Sequence, residues 1–212
     1  MSVRVKICGI TREKDVDAAV ANGANMLGFV FFPPSPRSVD IERAKSLVKR
    51  VPPHVQKIAL SVDASNSFLS EIVRGVDIDM IQLHGGETPE RCQEIQSLSG
   101  VPVMKALAIA VPKDVSRARL FEPYVDTLMF DAKAPVGATR PGGNALSFDW
   151  SLVFGKDWSK PWILAGGLTA ENVGEAISKS GAVAVDVSSG VENRPGIKSV
   201  KKIQDFITAA RS

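Results

Sequence analysis

The 212-residue sequence is poor in the features that mark several large classes of protein. Its two cysteines, Cys8 and Cys92, lie far apart and form neither a C-x-x-C pair nor a zinc-ligand spacing, which argues against a disulfide scaffold and a thiolate metal centre. Both thiols are therefore read as reduced. No uninterrupted apolar run is long enough to span a bilayer, and Met1-Ser2-Val3-Arg4-Val5-Lys6 leads directly into a strand without the apolar core of a signal peptide. A cytoplasmic protein without a membrane partner is expected. Basic runs are missing too: the net charge is +3, the pI is near 8.9, and Lys and Arg are scattered. That pattern does not suit nucleic acid, whereas a small anionic metabolite fits it well. His54 follows Pro52-Pro53 and reads as surface, and His84 has no carboxylate or second histidine at ligand spacing. No metal is expected.

What the chain does have is a repeating rhythm. Its last third sets the pattern: Ile163-Leu164-Ala165 runs into Gly166-Gly167-Leu168-Thr169, and Val183-Ala184-Val185-Asp186-Val187 runs into Ser188-Ser189-Gly190. Each half reads as a short apolar strand, then small residues, then a helical pattern. Bare backbone beside a helix N-terminus is a seat for phosphate, and in a parallel barrel that seat follows the last two strands. Simple turns and caps are the competing reading of these glycines.

The same unit recurs from the start. Strands are predicted over 3–8, 26–31, 56–62, 80–83, 103–106 and 127–130. Helical patterns are predicted from Thr11, read as a cap, to Val20, then over 41–51, 67–74, 89–99 and 113–121. A Gly/Pro-rich loop runs from Ala134 to about Ala145, Phe148-Asp149-Trp150 opens a short helix, and Ser199–Ala210 is the last helix. Eight strands alternating with eight helical segments imply a single α/β domain over 1–212, a (β/α)8 TIM barrel with parallel strands. A doubly wound open sheet shows the same alternation, but no G-x-G-x-x-G follows the first strand.

Barrel function gathers at the C-terminal strand ends. These offer Cys8, the loop carrying Arg37, the loop after Val62, His84, the segment near Lys105, Asp131, Gly166-Gly167, and Asp186 with Ser188-Ser189-Gly190. A thiol and a carboxyl on the first and sixth strands suit a base and an acid acting across one small molecule. Each has a plainer reading: Cys8 as a small buried hydrophobe, Asp131 as a loop cap, Arg37 as a solvated charge rather than a carboxylate clamp. Asp186 lies within an apolar strand and so needs a partner or a ligand. Gly28 marks tight packing or a close ligand.

The strings Val5-Lys6-Ile7-Cys8-Gly9-Ile10-Thr11, Gly28-Phe29-Val30-Phe31, Pro36-Arg37, Ile81-Gln82-Leu83-His84-Gly85, Phe148-Asp149-Trp150, Leu164-Ala165-Gly166-Gly167-Leu168 and Val185-Asp186-Val187-Ser188-Ser189-Gly190-Val191-Glu192, in this order, resemble the phosphoribosylanthranilate isomerase family of tryptophan biosynthesis. The resemblance spans essentially the whole chain. It implies a cofactor-free Amadori rearrangement of N-(5-phosphoribosyl)anthranilate to 1-(2-carboxyphenylamino)-1-deoxyribulose 5-phosphate. By the family's motifs Cys8 is the general base and Asp131 the general acid. Arg37 holds the anthranilate carboxylate, His84 and Asp186 line the pocket, and Gly166, Gly167, Ser189 and Gly190 bind phosphate. The chain departs from the family pattern at Gly142-Gly143-Asn144-Ala145, where Gly-Gly-Thr-Gly is usual, and at the end of the third strand, Leu60-Ser61-Val62-Asp63, where an apolar residue and Asn are commoner.

Another phosphate-binding TIM-barrel enzyme acting on a sugar phosphate, such as a synthase with a lysine acid or an epimerase with paired carboxylates or a metal, is the alternative. A catalytically dead phosphometabolite-binding module is a third reading, opposed by the presence of both Cys8 and Asp131. A monomer is expected ahead of a homodimer. Near neutrality both reacting groups start mostly in the wrong protonation state, so the site must favour the Cys8 thiolate and a protonated Asp131.

Overall fold

The computed structural model describes residues 2–135, 137–138, 140–143 and 145–212. Asn144, which carries one of the departures from the family pattern, lies outside the described residues.

Eight strands form one closed barrel in sequence order: β1 Arg4–Cys8, β2 Met26–Val30, β3 Gln56–Ser61, β4 Met80–Leu83, β5 Val103–Ile109, β6 Thr127–Ala132, β7 Trp162–Leu164 and β8 Ala184–Val187. All neighbouring pairs are parallel, and β1 closes the ring on β8 with Ile7 opposite Val187. Parallel strands are covered on both faces, so near-continuous apolar runs such as Met26–Val30, all buried, are what this arrangement requires. Inward-facing residues Met26, Ile58, Met80, Met104, Met129 and Ile163 make one cluster filling the barrel. Outward-facing residues such as Ile7, Leu27, Phe29 and Ile81 join the larger core beneath the helices.

Among the described residues seven α-helices follow strands: α1 Glu13–Ala21, α2 Ile41–Val48, α3 Asn66–Gly75, α4 Pro89–Ser99, α5 Pro112–Ala118, α6 Val173–Ser180 and α7 Val200–Ala209. Side-chain oxygens of Asp40, Ser65, Thr88 and Ser199 accept from the N3 backbone N–H and start α2, α3, α4 and α7. Thr11 does not cap α1 as its sequence position predicts. The N-cap is Arg12, and the Thr11 hydroxyl donates instead to the Gly196 carbonyl at 2.8 Å. The predicted sixth helix is a single 3-10 turn, Trp150–Val153. A short antiparallel pair, β9 Glu192–Arg194 with β10 Ile197–Lys198, sits between β8 and α7 and has no counterpart in the predicted elements. Among the described residues no helix is long and apolar enough to cross a membrane.

Candidate active site

The C-terminal strand ends open into a cleft of about 780 Å³, bulk solvent at its mouth included, lined by Cys8, Arg37, Gln82, His84, Asp131, Gly142, Gly166, Gly167, Asp186 and Ser189 among others. Strand alternation brings the two reacting candidates here. Cys8 is the last residue of β1 and Asp131 the penultimate residue of β6, both buried and both facing inward, separated round the ring by β7 and β8.

Asp131 is held at both oxygens. Its Oδ1 accepts the Ala132 N–H at 2.8 Å, and its Oδ2 lies 3.1 Å from His84 Nε2. Gln82 Nε2 stands 3.1 Å from His84 Nδ1 and 3.3 Å from Met129 Sδ. Met129 Sδ can only accept, which orients the amide nitrogen toward it; with that orientation Nδ1 is assigned as an acceptor and Nε2 as the donor toward Asp131. The loop after β6 returns over this pair: a Cβ on Gly142 would lie 2.8 Å from Asp131 Oδ2 and 2.8 Å from His84 Cε1.

Cys8 is flanked by charge. Lys6, two residues earlier on the same inward face, donates to Asp186 Oδ1 at 2.8 Å, which answers the need of Asp186 for a partner. Gly28 on β2 marks the close approach: a Cβ there would lie 2.8 Å from Cys8 Sγ and 3.1 Å from Lys6 Nζ. Burial pushes the Cys8 thiol up, Lys6 and Lys198 pull it down, and Asp186 opposes them, leaving it above its ordinary value. Burial would also pull the Lys6 ammonium down, but Asp186 and Cys8 outweigh burial and hold it above its ordinary value.

Arg37 is buried, and its fork already holds a carboxylate of this chain. Nε and Nη2 donate to the two oxygens of Glu192, each at 2.8 Å. Lys198 Nζ reaches the same Glu192 at 2.9 Å and also the Ser188 carbonyl. Burial alone would raise the Glu192 carboxyl, but Arg37 and Lys198 together hold it below the ordinary glutamate range. What Arg37 turns toward the loop over the cleft is Nη1, 2.6 Å from where a Cβ on Gly143 would sit.

Gly166 and Gly167 leave β7 with φ of +90° and +62°, which favours glycine, and their N–H groups hydrogen-bond to no other described residue. Ser189 and Gly190 form the 3-10 turn after β8. These two strand ends face the same cleft, except that α6 begins only at Val173, beyond a turn in which Asn172 Oδ1 accepts the Thr169 N–H. The glycine pair therefore does not run straight into a helix.

Over residues 5–209 the chain matches the family described as "PRAI: N-(5'phosphoribosyl)anthranilate (PRA) isomerase". The chain belongs to this family. It is 53% identical over 211 residues to the N-(5'-phosphoribosyl)anthranilate isomerase of Paramagnetospirillum magneticum, covering 100% of this chain and 98% of that protein. It is 51% identical to the enzyme of that name from Cereibacter sphaeroides, covering 99% of each. The crystal structure of phosphoribosyl anthranilate isomerase from Thermotoga maritima superposes with a TM-score of 0.88 at 36% identity, covering 98% of both chains. A second isomerase structure, in complex with reduced 1-(o-carboxyphenylamino)-1-deoxyribulose 5-phosphate, gives 0.83 at 33% identity over 98% of both.

Within this family framework two features of the site differ from the sequence reading. Lys105 is not part of the mouth: it faces outward from β5, buried, and donates to the carbonyls of Leu83 and Gly85 and to Glu87. Lys6 and Glu192 join the site beyond the residues expected from sequence. Lys6 was detectable, since alternation along Val5-Lys6-Ile7-Cys8 places a charge on the inward face. Glu192 was not, because its partner Arg37 lies 155 positions away. Asp63, at the second departure, adopts φ +48° and accepts the Gly86 N–H at 2.7 Å, a role and conformation open to Asn as well.

Proposed function

We propose that the chain catalyses the Amadori rearrangement of N-(5-phosphoribosyl)anthranilate to 1-(2-carboxyphenylamino)-1-deoxyribulose 5-phosphate, the isomerase step of tryptophan biosynthesis. The observation that carries the reading is the meeting of Cys8 and Asp131 in one cleft of a chain that belongs to the isomerase family.

In this reading Asp131 gives its proton to the ribose ring oxygen as the C1′–O bond breaks, leaving an iminium between C1′ and the anthranilate nitrogen. The carboxylate formed is met by the Ala132 N–H and the His84 Nε2–H, two donors already in place to accept its charge. The Cys8 thiolate then takes the C2′ proton, the electron pair of that bond moves to C1′–C2′, and the iminium nitrogen is neutralised. The resulting enolamine tautomerises to the ketose. The cationic iminium acidifies C2′–H and favours the thiolate beside it. Backbone N–H groups of Gly166, Gly167, Ser189 and Gly190 seat the phosphate, Gly190 from an adjoining pocket that Gly167 and Ser189 also line; Arg37 meets the anthranilate carboxylate through its Nη1 side, and His84 and Asp186 line the cleft.

The same reading has residues 1–212 acting as one catalytic domain, a cytoplasmic monomer working on a small molecule rather than on nucleic acid or membrane. Sedimentation of the purified protein tests the monomer. The activity is tested by generating phosphoribosylanthranilate in situ and following its fluorescence. Rapid loss of signal on adding the protein is expected, and a rate no faster than spontaneous breakdown would reject the function.

A further inference from the structure

Lys6 has a hydrogen-bonding capacity that its salt bridge does not use. It is fully buried inside the barrel, and an ammonium has three donors and no acceptor. One N–H goes to Asp186 Oδ1, and no other oxygen or nitrogen among the described residues accepts from Nζ. A buried ammonium with idle donors is costly, so an acceptor is due. A candidate is Cys8 Sγ, two residues along the same inward face: a Cβ on Gly28 would lie 2.8 Å from Sγ and 3.1 Å from Lys6 Nζ, so the two atoms border the same small space beside β2. Lys198, the other cation near the thiol, is differently placed: its Nζ already serves the Ser188 carbonyl, the Ser188 hydroxyl and Glu192.

We propose that Lys6 is the positioning residue that makes Cys8 a base, its ammonium donating to the thiolate and holding the charge left when the proton departs. The inference rests on the reading that Cys8 takes the C2′ proton, and it assigns the group that tunes it. Lys6 does not touch the substrate in this role. It acts through the sulfur, while Asp186 keeps the ammonium charged and aimed. The groups bearing on Cys8 are Lys6 on its own strand, Asp186 on β8 and Lys198 on β10, with His84, Asp131 and Arg37 on the other walls of the cleft. Of the cations, Lys6 contributes the largest downward pull on the thiol.

The test is a pH titration of the Cys8 thiolate by its ultraviolet absorbance, in a Cys92→Ala background so that a single thiol is read. Lys6→Met is expected to move the midpoint up by about one pH unit or more, which is about tenfold in thiolate at a fixed pH below the midpoint. kcat at neutral pH should fall by about the same factor with KM little changed, and the lost rate should return as the pH is raised. A purely structural loss would not return. Should Lys6→Met fail to fold because Asp186 is left unpaired, Lys6→Gln keeps a donor for Asp186 without the charge, and the same upward shift is expected. An unmoved midpoint, or a rate loss that higher pH does not restore, overturns the proposal. Its failure is separable from that of the base assignment: if Cys8→Ser abolishes turnover while the Lys6 variants titrate like wild type, only the role of Lys6 falls.

Discussion

Of the buried lysine–carboxylate pairs among the described residues, two sit one on each side of the barrel wall. Lys6–Asp186 lies inside and Lys105–Glu87 outside, each with its nitrogen and oxygen 2.8 Å apart and each with a lysine almost wholly removed from solvent. Their donors are used differently. Lys105 is saturated, with two carbonyls and a carboxylate fixing the β4–α4 loop, and Glu87 accepts the N–H groups of Asp63 and Gly85 in addition. Lys6 donates to one oxygen, and its Nζ borders the space beside Gly28 that Cys8 Sγ also borders. The comparison teaches that burial and ion pairing alone do not mark a functional charge. A saturated pair anchors backbone, whereas an unsaturated one beside the proposed base is available to the chemistry.

The largest effect is expected on the inner side. On the proposed mechanism Asp131→Asn removes the proton given to the ring oxygen while keeping shape, so kcat should fall by about 100 to 10,000-fold, measured by the fluorescence assay on protein shown to be folded by circular dichroism. Next comes the outer pair: Lys105→Met leaves a buried carboxylate unpaired, and loss of one partner of such a pair costs about 3–5 kcal/mol. Urea unfolding should show that loss while kcat of the folded protein stays near wild type. A fall in kcat without a fall in stability would erase the distinction between the two pairs. Smaller is Arg37→Lys, which keeps a charge but cannot serve Glu192 with two parallel bonds and still present a third nitrogen. A cost of about 1–3 kcal/mol in kcat/KM is expected, and wild-type kcat/KM would remove Arg37 from substrate binding.

The mildest prediction concerns acid. Burial would raise the Glu87 carboxyl, but Lys105 and the backbone N–H groups more than offset it, so its folded value lies below the ordinary 4.5. On acidification the unfolded chain binds this proton first. The stability Glu87 contributes is therefore whole above pH 4.5 and is lost as pH falls through the folded value. The acid limb of stability against pH should be shallower in Glu87→Gln than in wild type. An identical limb would show that the outer pair does not contribute to acid sensitivity.

Much of this was legible in the sequence because the barrel repeats one local rule. Short apolar strands ending in Cys8 or running into His84 and Gly166 could be read from their own neighbours, and strand order then followed from strict alternation. Thr11 misled for a physical reason: its hydroxyl meets the Gly196 carbonyl from a hairpin formed far later in the chain, and no local pattern announces that. The hairpin itself, three residues paired with two, is too short to display alternation. The sixth helix shrinks to a turn because only Trp150 and Val153 are buried there, which one 3-10 turn suffices to place. At the site, residue types and strand ends were readable, but the partners were not: Asp186 with Lys6 and Arg37 with Glu192 are contacts across the closed ring.

The central claim is that Cys8 takes the proton that Asp131's chemistry has made acidic. The most direct measurement pairs turnover with binding in Cys8→Ser, using a reduced, ring-opened product analogue as the ligand. Serine keeps the shape but is almost never the anion, so analogue affinity near wild type together with a kcat lowered at least about 100-fold is the expected result. A Cys8→Ser protein that binds the analogue and turns over substrate at near-normal kcat would contradict it.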